Sequence, residues 1–205
     1  MSGEATEQFD DAAYPCNQRR LSGRILPRPS IGDFVQNEMF LLFERYYLNA
    51  TPAQFRADLL EKSYVMLLRD IDGMLVGFST LDEQLTVSGG ERIRVFFSGD
   101  TIIAPAFWGS SEMPRLWTRF MFRRAAEDPE RRSFWFLISS GYKTYRLLPV
   151  FFQTFYPQRT GAARSSLSAL LNELAHLRFG EQFLAERGVV RLKHPTPLRP
   201  GVAEI

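Results

Sequence analysis

Hydrophobic positions change their period along the chain, and the changes divide it into predicted elements. Residues 1–30 are polar, carry Pro15, Pro27 and Pro29, and show no period, so they predict a loose arm. From residue 31 the spacing is helical: Phe34, Met39, Leu42, Phe43, Tyr46 and Tyr47 form an amphipathic stripe. Thr51-Pro52 predicts a second helix start, with Thr51 as N-cap and Pro52 at the first position. Phe55, Leu59 and Leu60 carry its apolar face to about residue 62.

The pattern then becomes β-like. Tyr64-Val-Met-Leu-Leu68 predicts a strand, Asp70-Ile-Asp-Gly73 a turn, and residues 74–81 a second strand. Asp72-Gly73 is the local hairpin signal. A second turn at Ser88-Gly-Gly-Glu91 leads into a strand over 92–103, so these strands predict an antiparallel meander. Helical spacing returns over 113–126 and stops by Asp128-Pro129. Ser133-Phe-Trp-Phe-Leu-Ile138 is short, wholly apolar and follows a helix, which predicts a buried, parallel strand. Beyond it the sequence predicts a helix over 141–148 cut or kinked at Pro149, a loop over 158–163, and a strong helix over 165–178. A short helix at Phe183, a strand over 189–192 and a Pro-rich end that frays or edges a sheet complete the chain.

This order predicts a mixed α+β architecture around one sheet, with a helical C-terminal extension. At 205 residues it suits a single domain over 31–205 behind the arm over 1–30. The composition, 45% hydrophobic and 23% charged, is that of an ordinary globular chain. A net charge of +2 gives no argument for nucleic acid as a partner. The single cysteine, Cys16, offers no disulfide framework or Cys-based zinc site, and the two histidines, His176 and His194, no His-rich metal site. The N-terminus lacks a secretory pattern, and no apolar run nears the roughly 20 residues of a membrane span. The expected setting is therefore cytoplasmic and reducing.

Two features point to chemistry. The apolar strand over 92–103 ends in Ala104-Pro-Ala-Phe-Trp-Gly-Ser-Ser111 and feeds a helix. Such a junction aims backbone N–H groups and the positive end of a helix dipole at one spot, which suits a phosphate. Arg115, Arg119, Arg123, Arg124, Arg131 and Arg132 lie on or just after that helix, either as a solvated face or as a site for an anionic donor or an acidic carrier. The second feature is the surplus of phenylalanine, 18 in all, clustered over 134–155. It is either core or the lining of an apolar pocket.

The strand–loop–helix element resembles the donor-binding element of the GNAT superfamily of acyltransferases, whose loop reads roughly Val-x-Pro-x-aromatic-Arg-Gly-x-Gly/Ala. In Ile103-Ala-Pro-Ala-Phe-Trp-Gly-Ser-Ser111, Pro105, Phe107 and Gly109 match. Trp108 stands where the family has arginine, Ser111 where it has its second glycine, and Pro114 sits in the first helical turn. Met74-Leu-Val-Gly-Phe-Ser is similar to a family strand, and the likeness spans roughly 34–156. It implies a GNAT-like, mostly antiparallel central sheet flanked by helices, and N-acyltransfer from an acyl thioester to a small-molecule amine. The altered loop is similar to that of N-acyl amino acid synthases and acyl-homoserine-lactone synthases. That implies acyl-CoA or the acyl-phosphopantetheine of an acyl-carrier protein as donor.

Acyl transfer to an amine needs a base, donors for the developing oxyanion, and an acid for the leaving thiolate. Asp100, a carboxylate in an apolar strand, is the first candidate base, and Glu44 on the first helix is the alternative. The resemblance places the acid tyrosine among Tyr142, Tyr145 and Tyr156, with Tyr145 favoured. Candidate donor contacts are the backbone of Ile102, Ile103 and Ala104, the loop residues Trp108, Gly109, Ser110, Ser111 and Arg115, and Ser139, Lys143 and Arg146 after the apolar strand. A non-catalytic module of the same fold, binding an acyl or CoA ligand or a protein partner, is the other reading of the altered loop.

Overall fold

The computed structural model describes residues 21–139, 145–158, 165–193, 195–200 and 202. Its central sheet has five strands in the order β1 (Ser22–Pro27), β2 (Tyr64–Arg69), β3 (Leu75–Ser88), β4 (Glu91–Ile103) and β5 (Ser133–Phe136). The first four pair antiparallel and β5 runs parallel to β4. The helices are α1 (Asp33–Phe43), α2 (Pro52–Leu60), α3 (Glu112–Ala126), α4 (Leu147–Phe151) and α5 (Ser165–Phe179). A small hairpin follows, from β6 (Phe183–Leu184) and β7 (Val189–Val190).

The meander appears where the period of two predicted it. Gly89 and Gly90, at φ 59° and 83°, supply the left-handed turn that lets β3 return as β4. β2 is buried on both faces. Val65 and Leu67 pack with Met39, Leu42, Phe55 and Phe78 beneath α1 and α2, whereas Met66 and Leu68 pack with Phe96 and Met113 beneath α3. A third cluster joins Val95, Phe97 and Phe136 to Leu174 of α5 and Phe183. α5 lies on the α1–α2 face, because Asp82, on the same face of β3 as Phe78, accepts a 2.8 Å hydrogen bond from Arg178. Helices thus cover both faces, and on the α3 face Phe152, at the C-cap of α4, lies against Trp135. Thr51 caps α2 as expected, accepting from the Gln54 amide at 3.2 Å.

Several expectations are corrected. Part of the arm is structured: residues 22–27 are the edge strand β1, whose consecutive Ile25 and Leu26 hide the alternation that marks a strand. Residues 1–20 lie outside the described residues. Phe34 is not a core residue, since the face of α1 that packs begins at Val35 and Met39 and leaves Phe34 75% exposed. Pro149 does not kink a helix; it lies in the first turn of α4, where a missing N–H leaves no intrahelical bond unmade. Phe183 begins a strand, paired with Val190. The phenylalanine cluster divides: Phe136 is core, Phe134 packs beside it, Phe152 lies 5.5 Å from the Trp135 ring, and Phe151 is exposed. Several arginines of the basic stretch have acidic partners, with Arg115 on Glu112, Arg124 on Glu83 and Glu127, Arg131 on Asp128 and Arg132 on Glu91.

Candidate active site

The site begins with a register change in β4. Ser79 pairs with Thr101 but Leu81 pairs with Ser98, so Gly99 and Asp100 together oppose Thr80. This is a β-bulge, and the extra residue switches which side chains face which way. Before it, odd positions such as Val95 and Phe97 face α5; after it, the even position Ile102 faces α1 and α2. Asp100, two residues before Ile102, therefore lies on the α1–α2 face. Unbroken alternation would have placed it with Phe96 beneath α3. Glycine is needed at 99 because a Cβ there would lie 2.3 Å from Thr80 Oγ1 and 3.1 Å from Lys62 Cε.

The bulge brings together groups far apart in sequence. Burial pushes the Asp100 carboxyl above its ordinary value; the Lys62 ammonium pulls it down and Asp58 pushes it further up. Burial, with the Asp100 charge as a second cause, pushes the Tyr47 phenol up to about 12. The Tyr47 ring stacks on Phe43, centroids 4.3 Å apart. The Thr80 hydroxyl is buried and has no hydrogen-bond partner among the described residues. Tyr47, Asp58, Lys62 and Thr80 were not singled out in the sequence. Tyr47 reads there as one more residue of a helical stripe, and only the pairing of β3 with β4 brings Thr80 to Asp100.

Beside the bulge β4 runs on without β5 as a strand neighbour, and this edge is the candidate donor cleft. β5 pairs only with Arg94–Phe97, whereas β4 continues to Ile103. The Ala104 amide donates to the Val76 carbonyl at 2.8 Å. By antiparallel alternation, the main-chain groups of Ile102 and Ala104 face β3 and those of Thr101 and Ile103 face away from it, into the cleft. Of the expected contacts Ile102, Ile103 and Ala104, only the Ile103 main chain faces away from β3, and Thr101 joins it. The Ile102 side chain is buried under α1 and α2. The Ile103 carbonyl accepts a 2.7 Å hydrogen bond from Trp108 Nε1.

The loop that follows is anchored by buried Phe107 in a 3-10 turn over Pro105–Phe107. Gly109 takes φ 89°, a value that favours glycine. Ser110 Oγ accepts from the Glu112 amide at 3.2 Å, and Pro114 has no amide proton. The Gly109, Ser111 and Met113 amides donate to no protein acceptor among the described residues. The Glu112 carboxylate also sits in the first turn, with Arg115 3.3 Å away. This N-terminus offers fewer donors than an ordinary one and a negative charge of its own.

The other candidates are dispersed. Glu44 is the C-cap of α1, and its carbonyl accepts from Arg199 Nε at 3.0 Å. Tyr145 donates its hydroxyl to the Pro157 carbonyl at 2.8 Å. Ser139, three residues past β5, and Arg146, at the N-cap of α4, are exposed. Lys143, Tyr142 and Ser140 lie outside the described residues.

No family model and no curated protein matches this chain. Solved structures do. The aminoglycoside N-acetyltransferase AAC(6')-Iy, in complex with the bisubstrate analogue CoA-S-monomethyl-acetylneamine, is 12% identical with a TM-score of 0.50, over 71% of this chain and 99% of that one. A ribosomal-protein-alanine N-acetyltransferase from Brucella melitensis biovar Abortus 2308 is 13% identical with a TM-score of 0.49, over 70% and 99%. AAC(6')-Ih from Acinetobacter baumannii is 8% identical with a TM-score of 0.49, over 70% and 97%. The likeness to AAC(6')-Iy gives this chain the fold of GNAT acetyltransferases, a mixed α+β fold around a mostly antiparallel sheet.

Proposed function

We propose that this protein is an N-acyltransferase that moves an acyl group from an acyl thioester to the amine of a small-molecule acceptor. The observation that carries this reading is Asp100, a carboxylate held by a bulge beside the point where β4 and β5 part. A thioester laid along the cleft meets the main-chain groups of Thr101 and Ile103. An acceptor entering from the α1–α2 side meets Asp100. The amine nitrogen attacks the thioester carbonyl and forms the C–N bond while the Asp100 carboxylate takes the amine proton. The tetrahedral intermediate then collapses, the C–S bond breaks, and the thiolate takes a proton from an acid. Asp100 suits a base because burial raises its proton affinity. Glu44 remains the alternative base. Tyr145 is the proposed acid and would exchange its Pro157 partner for the thiolate.

The donor is acyl-CoA or the acyl-phosphopantetheine of an acyl-carrier protein. The open amides of Gly109, Ser111 and Met113 would bind phosphate, assisted by Arg115; Ser110, Lys143 and Arg146 are further proposed contacts, with Trp108 and Ser139 lining the path. The few amides and the Glu112 carboxylate favour a donor with little charge at this point. Among the described residues no helix is long and apolar enough to cross a membrane, and we place the reaction in the cytoplasm.

The test gives purified protein a series of acyl-CoA donors, from acetyl to long-chain, with a panel of amines, and follows thiol release and the acylated product. Turnover is expected, and Asp100→Asn is expected to lower it by roughly 10²- to 10⁴-fold with donor affinity kept. Tight acyl-CoA binding without product from any amine would overturn the enzyme reading in favour of a binding module.

A further inference from the structure

The C-terminal segment returns to the acceptor side of the site. It leaves the β6–β7 hairpin, where the Lys193 amide donates to Gln182 Oε1 at 2.9 Å, and ends against the turn after α1. There the Leu48 amide donates to the Pro197 carbonyl and the Arg199 amide to the Tyr46 carbonyl, both at 2.8 Å. These bonds flank Tyr47, which pairs with Leu198 as an antiparallel bridge. Arg199 adds its Nε on the Glu44 carbonyl at 3.0 Å. That carbonyl is among those at a helix C-terminus without an intrahelical donor, and a cation is favoured there. Burial along the segment alternates as in a docked strand: Thr196 and Leu198 are half-buried while Pro195, Pro197 and Arg199 are exposed.

The turn held in this way contains one left-handed residue and lies beside the site. Asn49 takes φ 59°, the one positive value at a non-glycine among the described residues. Tyr47 reaches from it over Phe43 towards Asp100. Asparagine tolerates that left-handed value, and the segment supplies hydrogen bonds on both sides of the residue that reaches the site.

We propose that Arg199, with the segment leading to it, is a positioning residue that fixes Tyr47 as the acceptor-side wall of the site beside Asp100. Among the described residues the segment's main-chain hydrogen bonds and its bridge go to the turn after α1, so it sets how the acceptor is held and leaves donor binding alone. The proposal rests on the acyltransferase reading for the identity of the acceptor, but the clamp itself is open to a separate measurement.

The experiment uses the full chain, Arg199→Ala, Tyr47→Ala and the double variant, with a truncation after Lys193 as the stronger perturbation. Steady-state kinetics are run against acceptor and donor in turn. Amide hydrogen exchange is followed at Leu48. Arg199→Ala is expected to raise the acceptor KM by roughly five- to tenfold, the loss of one hydrogen bond to a positioned wall, with donor KM and kcat little changed. In the Tyr47→Ala background, where the wall is gone, the same change is expected to add nothing. The truncation is expected to speed exchange at Leu48. An acceptor KM that stays within twofold in Arg199→Ala and the truncation alike would overturn the proposal, as would equal effects on donor and acceptor, which mark a general loss of structure. If the wild type transfers no acyl group, the acyltransferase reading falls and the acceptor role with it. Unchanged exchange at Leu48 in the truncation would sink the clamp even where turnover is intact.

Discussion

Gly99→Ala tests the packing beneath the bulge. The new Cβ would sit 2.3 Å from Thr80 Oγ1, whereas ordinary contact begins near 3.4 Å. Relieving an overlap of about 1 Å requires the Thr80 side chain or one strand to shift within a packed interior, since Thr80 is 1% exposed. Overpacking of this kind costs about 1–3 kcal/mol. Thr80→Ala alone is expected to be nearly neutral: it loses a buried methyl, worth about 1 kcal/mol, and also removes a hydroxyl buried without a partner, which costs about 1–3 kcal/mol to keep dry. With the hydroxyl gone, the nearest remaining atom of residue 80 is its Cβ, 3.6 Å from the added methyl and in ordinary contact. Lys62 Cε, 3.1 Å away, belongs to a flexible side chain and can give by the few tenths needed. The double variant is therefore expected near wild-type stability, with a coupling of about 1–3 kcal/mol between the sites.

Urea unfolding of the four proteins measures this directly, provided the slopes agree. Additivity within about 0.5 kcal/mol would refute the steric account, because Gly99→Ala would then cost the same whether or not Thr80 Oγ1 is present. Turnover adds a functional arm. Gly99→Ala moves Asp100 with the bulge, so its activity is expected to fall further than its folded fraction does, and to recover in the double variant.

Two further predictions concern charge. Glu83, 7% exposed, accepts a hydrogen bond from Arg124 Nε at 2.9 Å and forms an ion pair with Arg94, whose Nε lies 2.9 Å away without hydrogen-bond alignment; Arg94 is itself 5% exposed. Glu83→Ala is expected to cost about 3–5 kcal/mol by leaving Arg94 buried without its counter-charge, while Glu83→Leu with Arg94→Leu returns most of it. Urea midpoints decide, and a double variant as unstable as the single one would show that the pair does more than balance charge. Because the Asp100 carboxyl is raised in the fold, the native state binds its proton more tightly than the unfolded chain does. Wild type is expected to lose stability relative to Asp100→Asn as pH rises from about 3.8, the ordinary value, through the raised one. Over that window kcat/KM of the wild type is expected to rise, and an unchanged acid limb in Asp100→Asn would assign the base elsewhere.

The architecture was legible where a period and a turn agree. β2, β3 and β4 follow from apolar runs punctuated by Asp72-Gly73 and Gly89-Gly90, and β5 from a short apolar run after a helix. β1 escaped because an edge strand with Ile25 beside Leu26 shows no alternation, and proline at 27 and 29 reads as loop. Tyr145 could be named from its place in the chain, but its hydrogen bond depends on the path to Pro157, which no local pattern encodes.

Asp100 shows where the limit falls within the site. A carboxylate in an apolar strand stands out in one dimension, and alternation then assigns it a face. The assignment fails here because one extra residue in β4 reverses the alternation; Gly99 inside an apolar strand marks Asp100 as either a turn or bulge residue or a base, but only the pairing with β3 fixes the bulge and the face it selects. The same residue also decides the surroundings. On the α3 face Asp100 would have lain with Phe96, near the ladder in which Trp117 donates to Ser79, and Ser79 and Thr101 share a hydrogen bond of 2.7 Å. On the observed face it meets Tyr47, Asp58 and Lys62, and through Tyr47 the C-terminal segment. Gly99 permits this arrangement by lacking the Cβ that would strike Thr80. The bulge thus joins what the sequence shows, an isolated acid before a loop, to what it hides, the Tyr47, Asp58 and Lys62 side chains around that acid and the C-terminal segment paired to Tyr47.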